Sequence, residues 1–322
     1  MHIVFLDRNT LHPDITLPPL SNEHTLAIFD NTTASNTAER IGDAQIVITN
    51  KVVIDKAVLD ACPQIQCIGV AATGINVVDI SACRARGITV VNVTDYATND
   101  VAEHALMLML VLTKQLKPYQ RALSQGQWQK SQQFCFFIDG HSIATLKGKT
   151  LGLIGTGNIA LQTAQLARAF GMNTLFFSPS GRSHVEGKNT VNLEALLRQS
   201  DIVSIHCPLT NTTEKLIDGQ ALKLMKPSAL IINTARGPII DIEALLNALR
   251  HNQIAGAALD VLPIEPPEAD APIMQAIKAL DNLIVTPHTA WASMPAMQAL
   301  IDQLFGKIND FIEGRPVANL AT

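Results

Sequence analysis

Short apolar runs alternate with longer segments of helical periodicity along most of the chain. In the first part the apolar runs are residues 2–6, 26–29, 45–48, 66–70 and 88–91. Helical patterns lie between them, for example at residues 54–61 and 80–86. This alternation is typical of parallel sheets covered by helices on both faces. It predicts a first doubly wound α/β domain that ends near residue 95.

A long apolar helical pattern separates this part from a second series of strands. Asp100 can act as its N-cap, and we expect the helix to continue through Leu116 until Pro118 interrupts it. The six apolar runs that follow are residues 150–154, 174–177, 202–205, 229–232, 256–259 and 283–285. Six parallel strands are the size of a complete dinucleotide-binding domain.

The last helical pattern spans residues 297–312 and ends at Gly314 and Pro316. Periodicity alone does not place this segment, but such a tail commonly returns to the first domain when the middle of a chain forms the other. We therefore expect residues 1–97 and 292–322 to form one domain. Residues 98–291 are expected to form the second.

Composition limits the class of protein. The 322 residues are 47% hydrophobic and 16% charged with a net charge of -4, which allows two cores and disfavours a disordered or polyanion-binding chain. The most lipid-like stretch, residues 105–112, is shorter than the roughly 20 residues that span a bilayer. The N-terminus lacks a basic leader. Neither nucleic acid nor a membrane is an expected partner.

The cysteines are scattered and show none of the paired spacings of a zinc site or a disulfide framework. They are Cys62, Cys67, Cys83, Cys135 and Cys207. We therefore expect a reducing cytoplasm as the location and no metal site.

The segment after residues 150–154 carries the glycine pattern of a dinucleotide-binding loop. Gly155 permits a tight turn, Gly157 lets the backbone approach a diphosphate, and Ala160 keeps strand and helix close. The helix expected at residues 159–170 offers amide donors and a positive dipole end to the phosphates. A structural glycine turn in another doubly wound protein is the alternative. The expected cofactor contacts in the loop are Gly155, Thr156, Gly157, Asn158 and Ile159.

The end of the next strand bears on the choice of cofactor. An NAD site normally carries an acid there for the ribose hydroxyls, whereas this chain has Ser178, with Arg182 shortly after it. Arg182 could pair with a 2′-phosphate, so NADP is favoured. The alternative is an exposed loop arginine in a protein that accepts NAD.

Three charged residues follow the last three predicted strands: Arg236, Glu265 and His288. In open α/β sheets ligands bind at the carboxyl ends of the strands. Reduction of a 2-keto acid needs a proton donor for the carbonyl oxygen, which His288 could be, and a cation for the carboxylate, which Arg236 could be. Glu265, if hydrogen-bonded to His288, would fix its tautomer and favour its protonated form. A helix-start salt bridge, a loop charge and a packed histidine are the alternatives for the three residues taken singly.

Three motifs closely resemble the D-isomer-specific 2-hydroxyacid dehydrogenase family. They are Asn233-Thr234-Ala235-Arg236-Gly237, residues 258–261 with Glu265-Pro266, and Thr286-Pro287-His288-Thr289-Ala290. The resemblance covers essentially the whole chain and looks strongest to glycerate dehydrogenases, or hydroxypyruvate reductases. The segments that favour these members are Phe5-Leu6-Asp7-Arg8, Thr49-Asn50-Lys51-Val52, Ala72-Thr73-Gly74-Ile75-Asn76 and Tyr96-Ala97-Thr98.

The resemblance implies a flavodoxin-like substrate domain, a Rossmann domain, and NAD(P)-dependent hydride transfer. The implied substrates are small acids, hydroxypyruvate and D-glycerate or glyoxylate and glycolate. Arg236 would bind the substrate, His288 would exchange the proton, and Glu265 would support it. The amides of Thr73 and Gly74 would help to hold the carboxylate. Further cofactor contacts implied are Cys207, Pro208, Thr234, Ala235, Asp260 and Ala290.

The family also implies a homodimer formed through the helix that starts near Val101. Trp128 follows that helix in a region that reaches toward the partner's active site in related reductases, although ordinary packing is the alternative. Ser178 and Ala160 depart from the acid and the glycine of many members, and the former leaves NAD and NADP open. An NAD(H)-responsive interaction module, and an enzyme for formate or phosphoglycerate, remain alternative functions.

Overall fold

The computed structural model describes residues 1–20, 24–181 and 190–321. It contains two compact units, Met1–Ala97 with Trp291–Thr322, and Thr98–Ala290. Trp291 therefore lies in the first unit, one residue from the boundary expected from the sequence.

The first unit is built on a five-stranded parallel sheet. Its strands are β1 (His2–Phe5), β2 (Thr25–Ile28), β3 (Ile46–Thr49), β4 (Cys67–Val70) and β5 (Thr89–Val91). Their order is β2-β1-β3-β4-β5, which is the flavodoxin-like order. Every strand overlaps one of the apolar runs predicted from the sequence.

Three short helices cover one face of this sheet: α1 (Thr37–Ile41), α2 (Lys56–Ala61) and α3 (Ile80–Ala85). Alternate strand residues such as Val47 and Ile68 meet Leu59 of α2 there. Asp55 and Asp79 cap α2 and α3, because their carboxylates accept the amides of Val58 and Ala82 at 2.9 Å.

The second unit is built on a six-stranded parallel sheet of order β11-β10-β9-β8-β6-β7. The strands are β6 (Thr150–Ile154), β7 (Asn173–Phe177), β8 (Ile202–Ile205), β9 (Leu230–Asn233), β10 (Gly256–Leu259) and β11 (Leu283–Val285). All six match predicted runs to within one residue. In the common dinucleotide-binding order a further strand lies beyond β7. At that position next to β7, the described residues contain a single β-bridge, between Phe176 and Thr190.

Helices cover both faces of the second sheet. They are α4 (Thr98–Thr113), α5 (Leu116–Ser124), α6 (Gln127–Ser131), α7 (Asn158–Ala169), α8 (Leu193–Gln199), α9 (Gly219–Leu224), α10 (Ile242–Arg250) and α11 (Pro272–Ala279). Leu108 of α4 and Ala164 of α7 pack with Leu153 on one face. Leu196 of α8 and Leu245 of α10 pack with Val203 on the other.

The first long helix differs from its predicted bounds. It begins at Thr98, so Asp100 lies in its first turn instead of capping it, and it ends at Thr113. Gln115 then adopts a left-handed conformation at φ 57° and starts α5. Pro118 is the third residue of α5. A proline is tolerated there because the first N–H groups of a helix have no intrahelical acceptor.

Helix α12 (Met294–Ile312) belongs to the first unit. Leu304, Phe305 and Ile308 are fully buried on the face of the first sheet opposite α1–α3. Gly69 in β4 allows this contact, because a Cβ atom there would lie 3.2 Å from Ile308 and Leu304. No helix among the described residues is long and apolar enough to cross a membrane.

Candidate active site

The loop between β6 and α7 has the geometry that its glycines require. Gly155 has φ 119°, and a Cβ atom there would lie 2.6 Å from the carbonyl oxygen of His206. A Cβ atom on Gly157 would meet nothing within 4 Å, so the backbone at the N-cap of α7 is open to a ligand. Ala160 is fully buried where α7 meets the sheet. The amides of Asn158 and Ile159 belong to the first turn of this helix, whose N–H groups lack intrahelical acceptors.

A second observation at this edge fits a bound dinucleotide. The hydroxyl of Thr234, at the end of β9, is buried and has no hydrogen-bond partner among the described residues. A buried hydroxyl without a partner costs about 1–3 kcal/mol, which a cofactor group could offset. Together with the open backbone at Gly157, it indicates that these residues fit a dinucleotide.

The residues proposed to contact the ribose of the cofactor lie at and after the end of β7. Ser178 follows Phe177 directly, and its hydroxyl lies 3.3 Å from that of Ser180. No acid stands among the described residues that follow this strand, 178–181. Arg182 lies outside the described residues.

The turn after β9 presents Arg236. Asn233, only 1% exposed, braces this turn, because its side chain accepts from the amide of Ala235 at 2.9 Å and donates to the carbonyl of Arg236 at 3.0 Å. One Nη of Arg236 donates to the carbonyl of Ala235 at 2.7 Å. Gly237 packs so closely on the backbone of Leu262 that a Cβ atom would overlap it.

Glu265 and His288 form the pair that the sequence predicted. The Nδ1 atom of His288 lies 2.6 Å from Oε2 of Glu265, and both side chains are partly exposed, 25% and 33%. The other oxygen, Oε1, accepts from the amide of Leu262 at 2.7 Å. Both carboxylate oxygens are therefore held, and the Nε2 atom of His288 is left to meet a ligand. His288 itself has a left-handed backbone with φ 57°.

Asp260 lies beneath His288 and is only 2% exposed. Its Oδ1 accepts from the amide of Thr289 at 2.9 Å and from the hydroxyl of Thr286 at 2.5 Å. Its Oδ2 accepts from the amide of Ala290 at 2.9 Å. The carboxylate predicted to lie near the nicotinamide is thus engaged by the residues around His288.

The remaining predicted residues lie at the two sheet edges. Cys207, which is buried, and Pro208 follow β8, and burial raises the pKa of the Cys207 thiol to about 11. Thr73 and Gly74 follow β4 in the first unit, where the carbonyl of Thr73 accepts from the side chain of Asn92 at 2.7 Å.

Similar proteins agree with this architecture. The model of the D-isomer specific 2-hydroxyacid dehydrogenase NAD binding domain matches residues 106–290. Glycerate dehydrogenase of Methylorubrum extorquens is 42% identical over 98% of this chain and 97% of its own length. Hydroxypyruvate reductase of Blautia hydrogenotrophica is 35% identical over 98% of both chains. The chain belongs to the D-isomer specific 2-hydroxyacid dehydrogenases.

Solved structures of this fold superimpose over nearly the whole dehydrogenase. The NADPH-dependent glyoxylate/hydroxypyruvate reductase of Sinorhizobium meliloti, in complex with citrate, gives a TM-score of 0.84 at 26% identity. The match covers 99% of this chain and 97% of that one. The family resemblance and the two-sheet α/β fold predicted from the motifs are confirmed.

Sequence reasoning missed several residues that shape the site of this dehydrogenase. Asn233 and Gly237 fix the turn of Arg236, and Thr286 holds Asp260. An asparagine at a strand end and a glycine directly after a candidate arginine are the signals that could have found the first two. His104, on α4, contacts Thr286 at 3.0 Å from a distant part of the sequence, which no local pattern reveals.

Proposed function

We propose that this dehydrogenase transfers hydride between NAD(P)H and the C2 atom of hydroxypyruvate or glyoxylate, giving D-glycerate or glycolate. The observation that carries the proposal is the pair of His288 and Glu265, 2.6 Å apart at the carboxyl edge of the sheet that holds the glycine loop. Relatives named glycerate dehydrogenase and hydroxypyruvate reductase, 42% and 35% identical, support the substrate class.

Each residue has a role in this reaction. A nicotinamide cofactor, when bound, would provide the hydride for C2 of the keto acid. His288 gives its Nε2 proton to the carbonyl oxygen as the C–O double bond becomes single, so that the product is the hydroxy acid. Glu265 holds the ring through Nδ1 and stabilises the positive charge that the imidazolium carries before transfer.

Substrate binding falls to Arg236 and to two backbone amides. The planar guanidinium of Arg236 would hold carboxylate and carbonyl together, which an ammonium group cannot do. By the family resemblance, the amides of Thr73 and Gly74, in the loop after β4, would help to hold the carboxylate. Asn233 and Gly237 keep the arginine turn rigid, so that the reacting atoms stay aligned.

We also propose NADP as the preferred cofactor. No acid at the end of β7 repels a 2′-phosphate, and Ser178 and Ser180 offer hydroxyls in its place. Arg182 would supply the positive charge. The homodimer implied by the family would use α4. Met107 on this helix is exposed in the single chain, and a partner subunit would cover it. Free cysteines, four of them buried, fit a cytoplasmic location.

Steady-state kinetics with purified protein test the proposal. We expect turnover of hydroxypyruvate and glyoxylate, a higher catalytic efficiency with NADPH than with NADH, and a reversal of that preference in Ser178→Asp/Arg182→Ala. The control is His288→Ala, in which turnover should fall by roughly 10²–10⁴-fold while cofactor affinity barely changes. Tight cofactor binding without turnover of any 2-keto acid would contradict the enzyme and favour an interaction module.

A further inference from the structure

A partly buried histidine outside the proposed catalytic set lies against the loop that carries His288. His104 is on α4, and its side chain is only 16% exposed. Its Nε2 atom lies 3.0 Å from the hydroxyl of Thr286 and 3.5 Å from Oδ1 of Asp260. Thr286 and Asp260 are the two side chains that fold the backbone around His288.

The hydrogen bonds in this cluster determine where the proton of His104 resides. Thr286 has one hydroxyl proton, and it donates that proton to Asp260 across 2.5 Å. Toward His104 the same hydroxyl can therefore only accept. The Nε2 atom of His104 must carry a hydrogen, and in the neutral ring Nδ1 is then the unprotonated nitrogen.

The charge of His104 is set by its surroundings. Burial lowers the pKa of His104, and this effect exceeds the opposite influence of the nearby Asp260 carboxylate. The ring is consequently neutral at pH 7, and its contact with Thr286 is a neutral hydrogen bond.

The loop needs such support because its conformation is costly. His288 adopts φ 57°, a left-handed backbone that residues other than glycine adopt uncommonly and at a cost in free energy. The amides of Thr289 and Ala290 are fixed by Asp260, and Asp260 is oriented in turn by Thr286. His104 contacts the hydroxyl of Thr286 and so completes a chain of contacts from α4 to the backbone next to His288.

We propose that His104 is a positioning residue, a neutral Nε2–H donor that fixes Thr286 and Asp260 and thereby the direction in which His288 points. The assignment rests on the proposed function of His288. It gives α4 a second role beyond covering the sheet, since a side chain of its second turn sets the geometry of the proton donor.

Two substitutions separate positioning from simple packing. His104→Leu fills the space without a donor, and we expect kcat for hydroxypyruvate reduction to fall by about 10- to 100-fold, the range for a slightly misplaced reacting group. Cofactor affinity should change by less than about threefold, which is less than the loss of one hydrogen bond to the cofactor would cause. His104→Gln offers an amide donor near the place of Nε2, and it should recover most of the lost kcat.

A matched control lies on the same helix. Thr113 is buried, and its hydroxyl has no hydrogen-bond partner in the part of the chain that the structure describes. Thr113→Val also removes a buried polar group from α4, and it should leave kcat unchanged. Equal losses in Thr113→Val and His104→Leu would show a general effect of altering the helix and overturn the assignment. So would a His104→Gln variant as slow as His104→Leu.

A measurement independent of activity accompanies the kinetics. In protein labelled with ¹⁵N-histidine, NMR at pH 7 should show His104 as the neutral ring with hydrogen on Nε2. A hydrogen on Nδ1 alone would overturn the assignment even if the variants were slow. If the wild type turned over no 2-keto acid, the proposed function would fail, and the NMR result would decide the His104 contact by itself.

Discussion

The carboxylate of Glu265 is shared between two partners, and this division decides what a substitution there would do. Oε1 accepts from the amide of Leu262 and Oε2 faces Nδ1 of His288. A glutamine keeps the size of the side chain and an acceptor for Leu262. It removes the negative charge next to the imidazole and places an NH2 donor where Oε2 faced Nδ1.

Glu265→Gln should therefore spare the fold and slow the reduction. Without the carboxylate, no negative charge lies next to the imidazolium and no acceptor holds its Nδ1–H. We expect kcat for hydroxypyruvate reduction to fall by roughly 10- to 100-fold, the value of a hydrogen bond to a charged group. Steady-state rates at pH 7 test this, with the exposed Glu268→Gln as the control. Equal rates for wild type and Glu265→Gln would contradict the role.

A second histidine affects stability instead of chemistry. Burial lowers the pKa of His206 to about 4, and its Nε2 atom lies 2.8 Å from the hydroxyl of Ser204. The unfolded chain takes up a proton below about pH 6.5, whereas the folded chain resists it. The stabilisation is therefore complete above pH 6.5 and is lost as the pH falls toward 4.

The expected size of this loss is about 3 kcal/mol, since each unit of pKa shift corresponds to about 1.4 kcal/mol. Urea unfolding at pH 7 and pH 4.5 measures it. Between the two pH values the wild type should lose more free energy of unfolding than His206→Gln. The excess should be a large part of the expected loss. The exposed His251→Gln should keep the wild-type difference. An unchanged difference in His206→Gln would assign the acid sensitivity to other groups.

At the scale of elements, the segments that follow β9 and β10 touch through Gly237. A Cβ atom on this residue would overlap the backbone of Leu262 and Pro263. Leu262 donates its amide to Glu265, so the contact links the turn of Arg236 to the carboxylate that holds His288. The glycine that follows the arginine is thus required by backbone contact between two elements.

Gly237→Ala should displace that contact. Overpacking of this kind costs about 1–3 kcal/mol, and a shift of the reacting groups by about 1 Å can cost roughly 100-fold in rate. We expect a lower melting temperature together with a loss of kcat. Gly306→Ala in α12 is the control, because a Cβ atom there meets nothing within 4 Å and alanine favours helix. Full activity in Gly237→Ala would mean that the two loops move apart without consequence.

Apolar periodicity predicted the elements well where burial dictates them. Strands buried on both faces read as short continuous runs, and each of the eleven overlaps its predicted run. The boundary between α4 and α5 could not be predicted, since Gln115 carries no signal for its left-handed conformation and Pro118 is acceptable in a first turn. The sequence indicated Arg236, Glu265 and His288 because charged residues that follow predicted strands can be recognised in it. His104 could not be found in this way, since it contacts Thr286 across 182 positions of the chain.

At the scale of the whole molecule, the first unit is assembled from both ends of the chain. Phe305 of α12 is fully buried against the sheet formed by residues near the N-terminus. The second unit is continuous, Thr98–Ala290, and its cores consist of its own residues. A weakened α12 should therefore damage one unit selectively.

Phe305→Ala should destabilise the first unit by about 3–5 kcal/mol, the usual cost of truncating a buried phenylalanine. Hydrogen exchange resolved by residue should show lost protection in β1 and β3–β5, with β6 and β8–β10 protected as in the wild type. Phe170→Ala is the control, since Phe170 is 46% exposed at the end of α7. Equal loss of protection in both sheets would mean that the two units unfold together.

The return of α12 to the first sheet also governs how the protein is made on the ribosome. Translation delivers β1–β5 before the second unit, but the helix that covers Phe5, Ile46 and Ile48 emerges only after it. At about 5–20 residues per second, synthesis of residues 98–290 takes roughly 10–40 s, during which that face of the nascent sheet is bare. The later-made unit can finish its own sheet in this interval. Chaperones that bind exposed apolar strands would have their longest access to the first hundred residues, although these are synthesised first.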